Sequence, residues 1–245
     1  MSFNQQDRIL VGAFILGCVS LAPRSSAAQP LHLDLAEEIV DNVTPELNEY
    51  GSSPSYVTWP GYLGSTVYSN RSVCTTFVTL VLMRAYGLTG LALKTWFGTI
   101  SPTAAMYHDA IVAQNGFTLV PTIDDVEPGD FLAAKYAPGA TVSGHLATVV
   151  SAPVQRLPAT SPVIIGTFQY DVEVVDSSST GHGWTDTRNL PAGGWDAGAG
   201  IGVMRLYVDA AGAIVGHTWS TNNGTFYNQT QRHMVMGRLV PIAPL

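Results

Sequence analysis

The stretch Tyr68 to Gly87, YSNRSVCTTFVTLVLMRAYG, leaves the chain little choice of surroundings. Phe77, Val78, Leu80, Val81, Leu82, Met83 and Ala85 fall on nearly every side of a helix over about 73 to 86, so that helix must be covered on most faces. Asn70 or Ser72 is expected to cap its first turn, and Gly87 to end it in the left-handed conformation. Cys74 stands in the first turn, where open N–H groups and the helix dipole favour a thiolate. Against this stands the plainer reading, in which a lone cysteine in an apolar helix is a small core residue.

Residues 1–28 read as a secretory signal: Arg8 precedes the apolar run Ile9 to Leu21, and Ser26-Ala27-Ala28 offers small residues before a cut. The run is too short to span a bilayer comfortably. Lipidation at Cys18, in Ile15-Leu16-Gly17-Cys18, is the alternative. The protein is therefore expected to be exported, to periplasm or medium. Cleavage leaves 29–245 as a single domain with Cys74 its only cysteine, a free thiol with no disulfide partner. The formal charge of −7 argues against a nucleic-acid partner. With 24 glycines, 15 prolines and few charges, the chain reads as loop-rich and strand-rich.

Leu33, Leu35, Ile39, Val40, Val43 and Leu47 suggest an N-terminal amphipathic helix interrupted near Pro45, and 51–70 reads as an irregular loop. Ser101-Pro102 is expected to start a helix running to about Gln114, with His108 a surface or half-buried residue on it. Beyond Pro121 come strands, at Phe131 to Ala134, His145 to Val150, Val172 to Asp176, Gly202 to Val208, Ile214 to Ser220 and Met234 to Val240. Five or six strands joined mostly by short turns predict an antiparallel sheet, and the fold class is α+β.

If the strand that starts at His145 pairs antiparallel with the one that ends at Asp176, imidazole and carboxylate meet at one end of the sheet. Period-two alternation puts Ala147 and Val149 on the face of His145, and Val172 and Val174 on the face of Asp176. With the first turn of the Cys74 helix on that end, thiol, imidazole and carboxylate line up as nucleophile, base and orienting group.

The order VCTTFV, EPGDFLAA, GHLATVV and then a polar residue on the next strand resembles the NlpC-type and CHAP families of bacterial cell-wall cysteine peptidases and amidases, which share a papain-like core. The resemblance covers about 50 to 180 and implies Cys74 as nucleophile, His145 as base and Asp176 as third residue, with Ser177 and His182 as competitors. It also offers Tyr56, and less directly Tyr68, as oxyanion or cleft residues. Two departures stand out, Val73 before the cysteine and Thr75-Thr76 after it. The implied activity is cleavage of an amide bond in peptides or peptidoglycan by a monomer. Thioester acyl transfer on the same triad, or an inactive binding protein of this fold, are the alternatives. No cofactor is expected, and His182, His217 and His233 have no metal-ligand spacing. Trp184, Trp195 and Trp219 either wall a substrate cleft or belong to strands that extend the sheet.

Overall fold

The computed structural model describes residues 29–240; the expected signal segment 1–28 and the alternative at Cys18 lie outside it. Four helices, α1 (Leu31–Asn42), α2 (Cys74–Tyr86), α3 (Gly90–Phe97) and α4 (Ala104–Val112), accompany two sheets. The small sheet joins β1 (Asn48–Tyr50), β2 (Tyr56–Thr58) and β3 (Ser69–Ser72) in the order β1-β3-β2, with β1 parallel to β3. The large sheet contains β4 (Phe117–Val120), β5 (Phe131–Tyr136), β6 (Gly144–Val149), β7 (Val154–Gln155), β8 (Phe168–Ser178), β9 (Gly198–Val208), β10 (Ile214–Thr218), β11 (Tyr227–Asn228) and β12 (Arg232–Leu239). Its order is β11-β10-β9-β8-β6-β5-β12-β4, antiparallel throughout, with β7 on the flank of β8. The fold is α+β, and all six expected strands are present.

The sheet rolls until β10 packs against β12, and this gives it two cores. On one face, Phe131, Ala133, Leu146, Val175 and Ala199 meet Leu33, Ile39, Phe77, Leu82, Tyr107 and Ile111 of the helices. On the other, Leu132, Ala134, Ala147, Val149, Val172, Val174, Met204, Leu206 and Met234 pack among themselves inside the roll. A strand covered on both faces reads as an unbroken apolar run, which is why Phe131-Leu-Ala-Ala and His145-Leu-Ala-Thr-Val-Val alternate so weakly. Each large side chain buried this way contributes about 1.5–3 kcal/mol. Among the described residues no single helix is long and apolar enough to cross a membrane.

Helix α2 begins and ends where its sequence suggests, with Gly87 at φ 65°. Its cap differs from expectation: the residue before it is Val73, and no side chain caps the first turn. Asn70 and Ser72 lie in β3, and the Ser72 hydroxyl donates to Asn70 Oδ1 at 2.5 Å instead. The expected loop at 51–70 thus contains β2 and runs into β3. Helix α4 starts three residues after Ser101, capped by Thr103, whose hydroxyl accepts from the Met106 N–H. Helix α3 has no counterpart among the expected elements, although Thr89 caps it and Gly98 ends it at φ 77°. The side chain of Asn48 completes the frame by imitating a strand: its amide donates to the Ala199 carbonyl and its oxygen accepts from the Ala199 N–H, both at 2.8 Å.

Candidate active site

Strand β3 delivers the chain directly into α2, so Cys74 opens the helix at the edge of the sheet, only 7% exposed. Strand β6 begins beside it. Gly144 at φ 152° lets the chain turn into that strand, and a Cβ there would collide with the Ala134 carbonyl oxygen. Gly144→Ala is expected to destabilise the protein by about 2–4 kcal/mol, read as a lowered thermal midpoint.

His145 follows, half-buried, and its Nε2 donates to Asp176 Oδ2 at 2.6 Å. The antiparallel pairing of β6 with β8 positions this bond. Because Nε2 is taken, Nδ1 is the nitrogen left to face the thiol, and ring and thiol are near enough to shift each other's ionisation. Burial opposes a Cys74 thiolate, but the imidazolium of His145 and the N–H of Leu146 outweigh it and bring the thiol pKa below its ordinary value. Burial likewise opposes a charged His145, yet the facing Cys74 and the bond to Asp176 push it up to about 10. Each group thus favours the charged form of the other.

Asp176 is fully buried and its carboxylate is completely used. Oδ2 also accepts from His182 Nε2 at 2.9 Å, and Oδ1 accepts from Arg188 Nη1 at 2.9 Å. Arg188 in turn grips both oxygens of Asp186 at 2.8 Å, and the Asp186 carboxylate accepts the backbone N–H of His182 at 2.6 Å. Burial alone would raise the Asp176 pKa; the charges of His182 and Arg188 and the imidazole hydrogen bonds hold it well below 3.8. Room for this network comes from β9, where a Cβ on Gly200 would strike the Arg188 side chain and one on Gly202 would strike the Asp186 carboxylate.

His145, Asp176 and His182 are also a possible metal trio by residue type. The 2.6 Å between His145 Nε2 and Asp176 Oδ2 is the length of a hydrogen bond. A tetrahedral ion with bonds of ~2.1 Å holds its ligand atoms ~3.3 Å apart, so these atoms as placed share a proton and do not fit a metal.

A cleft of about 750 Å³ opens over the thiol, lined among others by Tyr50, Tyr136, Trp195, Trp219 and Arg232. Trp219 stands edge-on to His145 at 5.0 Å and its carbonyl accepts from His182 Nδ1 at 2.6 Å. Trp184, 70% exposed, stacks on Trp195 at 6.2 Å. Trp195 and Trp219 thus wall the cleft, while Trp219 directly follows β10 and so also belongs to the extended sheet.

Cys74, His145 and Asp176 are brought together as read from the sequence. His182 does not compete for the place of Asp176 but supports it from behind, and Ser177 instead ties β8 to β3 by donating to the Ser72 carbonyl. Tyr56 and Tyr68 do not line the cleft: Tyr56 lies on the outer strand of the small sheet, and the Tyr68 hydroxyl donates to Glu38 at 2.7 Å. Tyr50 and Tyr136 line it instead, and the parallel β1–β3 pairing sets Tyr50 opposite Ser72, two residues before the thiol; of the two, Tyr50 is the one delivered beside α2. For Tyr50, burial, Cys74 and Asp176 all raise the pKa, keeping the hydroxyl a donor. His108, expected at the surface or half-buried, is buried, with Nε2 2.7 Å from His233 Nδ1, and does not line the cleft. Arg188 and Asp186 carry no motif of their own; the glycines at 198, 200 and 202, all on one face of a strand, are the signal that something large approaches there.

No family profile matches the sequence, and no solved structure matches the fold. The chain is 33% identical over 199 residues to the uncharacterized protein R653 of Acanthamoeba polyphaga mimivirus, a match that spans 78% of this chain and 87% of the viral one.

Proposed function

The chain belongs to the same family as that viral protein, and from the cleft we propose that it is a thiol hydrolase that cleaves an amide bond. The observation that carries this reading is the line from Cys74 through His145 to the buried Asp176, with one imidazole nitrogen on the carboxylate and the other left for the thiol. A buried residue kept only for packing would need no such tether. The helix bearing the thiol, packed on an antiparallel sheet that carries first the histidine and then the acid, supports a papain-like core of the NlpC and CHAP kind. The proposed substrate of the exported enzyme is a peptidoglycan stem peptide.

In the first step the Cys74 thiolate attacks the carbonyl carbon, and the C–N bond breaks as His145 Nδ1 gives its proton to the leaving amine. His145, then neutral, takes a proton from water, whose oxygen attacks the thioester; the acid leaves and the thiolate–imidazolium pair returns. Asp176 keeps the imidazole oriented and stabilises its positive form throughout. Because no side chain caps α2, the first-turn N–H groups stay open for the oxyanion, and the Tyr50 hydroxyl is the second donor. Val73 and Thr75 in place of the usual neighbours are compatible with this, since the donors are backbone groups.

The test is the pH dependence of Cys74 alkylation by iodoacetamide. The wild type should react as a thiolate well below the ordinary thiol pKa of about 8.5, and His145→Ala should push that onset back to the ordinary value. Two superimposable profiles would refute the pair. Hydrolysis itself should rise as Cys74 ionises on the acid side and fall as the pH passes through about 10, where His145 loses the proton it must donate. Product analysis with and without an added amine separates hydrolysis from acyl transfer.

A further inference from the structure

Arg232 opens β12 and pairs with Tyr136 of β5. Met234, Ala134 and His145 form one cross-strand row, and Arg232 and Tyr136 begin the next row on the same face, toward the mouth of the roll. The guanidinium packs against three rings, with Cζ 3.5 Å from the centre of Tyr227, 4.4 Å from Tyr136 and 5.2 Å from Trp219. Trp219 is the ring that touches His145. One indole therefore separates this cation from the imidazole of the reactive line.

Arg232 combines a place in the cleft with the lack, among the described residues, of an acidic partner. Arg156, Arg188 and Arg238 each hold a carboxylate, and Arg205 is bound to backbone carbonyls. Arg232 lines the cleft with its Nη1 buried and, among the described residues, without a partner. Behind it lies His217, fully buried against Trp219 and Tyr227, with neither ring nitrogen partnered among those residues. Unpaired buried donors are costly and call for a reason. No aspartate or glutamate among the described residues lines the cleft, so Arg232 faces it uncompensated in a chain whose formal charge is −7.

We infer that Arg232 is the substrate-selecting residue of this cleft, binding a carboxylate of the substrate near the bond attacked. A planar guanidinium held between aromatic faces suits the two oxygens of a carboxylate with parallel N–H donors. A single guanidinium balances one negative charge, which favours a carboxylate over a dianionic phosphate. The carboxylate is either the C-terminus of a short peptide or an acidic side chain. This selectivity rests on the hydrolase reading, but the anion site can be measured without turnover.

The full chain carrying Cys74→Ala is titrated with N-acetyl-Ala-Ala, with its C-terminal amide, and with N-acetyl-Ala-Glu amide, following tryptophan fluorescence. At least one carboxylate ligand should bind about tenfold or more tightly than the neutral amide. Which of the two does so identifies a C-terminal or a side-chain carboxylate. Arg232→Gln should erase the preference while leaving the amide's affinity unchanged, and Arg232→Lys should keep part of it. Equal binding of all three ligands overturns the proposal without recourse to any variant, as does a preference that survives in a folded Arg232→Gln protein. A carboxylate preference beside an inert Cys74 keeps the anion site and removes the hydrolase; a reactive thiol without the preference does the reverse.

Discussion

Cys74→Ala should abolish turnover and leave the fold standing. The sulfur occupies a small space at the start of α2, 7% exposed, so its loss should cost about 1 kcal/mol of stability. Catalysis has no substitute for it, because His145 and the helix N–H groups can orient water but supply no covalent intermediate. Turnover should slow by roughly a thousandfold or more, on the order seen when a nucleophile is removed from a working triad. The assay is release of a new amine from short amide substrates, run beside a thermal melt. Turnover that survives in a folded variant would end the assignment of Cys74 as nucleophile. The same variant carries a second readout: the facing Cys74 is a leading cause of the raised His145 pKa, so the imidazole should titrate below about 10 once the thiol is gone, as NMR of the ring protons would record.

Asp176→Asn should injure both chemistry and stability. An amide in that place can still accept from His145, but it no longer favours the imidazolium, and turnover should slow by roughly a hundredfold to ten-thousandfold with a smaller change in KM. Stability should fall by about 3–5 kcal/mol, because His182 and Arg188 remain buried beside a neutral group. The pH dependence gives the sign. The folded-state pKa of Asp176 is depressed, so its contribution is complete above the unfolded value of 3.8 and is lost only as the pH falls through the much lower folded value. Wild type and variant should thus differ most in melting temperature at neutral and mildly acid pH, and converge in strong acid. A constant difference down to the lowest pH would mean that the carboxylate's charge is not what stabilises the corner.

The line from Cys74 through His145 to Asp176 was legible because its three residues sit on regular elements. An apolar helix opening on Cys74, a strand opening on His145 and a strand closing on Asp176 are patterns that local periodicity records. What surrounds them was legible only in part. The supports His182, Asp186 and Arg188 lie in the connection from β8 to β9, where no period exists, and their presence was written instead as missing side chains at Gly200 and Gly202. Tyr56 stands closer in sequence to Cys74 than Tyr50 does, yet a parallel pairing across the intervening loop brings Tyr50 to the cleft, and such a pairing leaves no local trace. The second core was invisible for a related reason: Leu132 and Ala134 read as ordinary neighbours of Phe131 and Ala133 until the roll of the sheet gives each pair its own interior.

The clasp between Asn48 and Ala199 has a bearing on how this protein is made. Tyr50 is fixed two residues from that asparagine, and β1 is steadied on one side by β3 and on the other by a segment synthesised long afterwards. Gly200 and Gly202, which admit Arg188 and Asp186 behind Asp176, come from that same late segment. A chain still on the ribosome, short of β9, lacks the strand that clasps β1 and backs the network behind Asp176. Under the hydrolase reading, the growing polypeptide would carry no fully armed nucleophile until the fold is nearly complete.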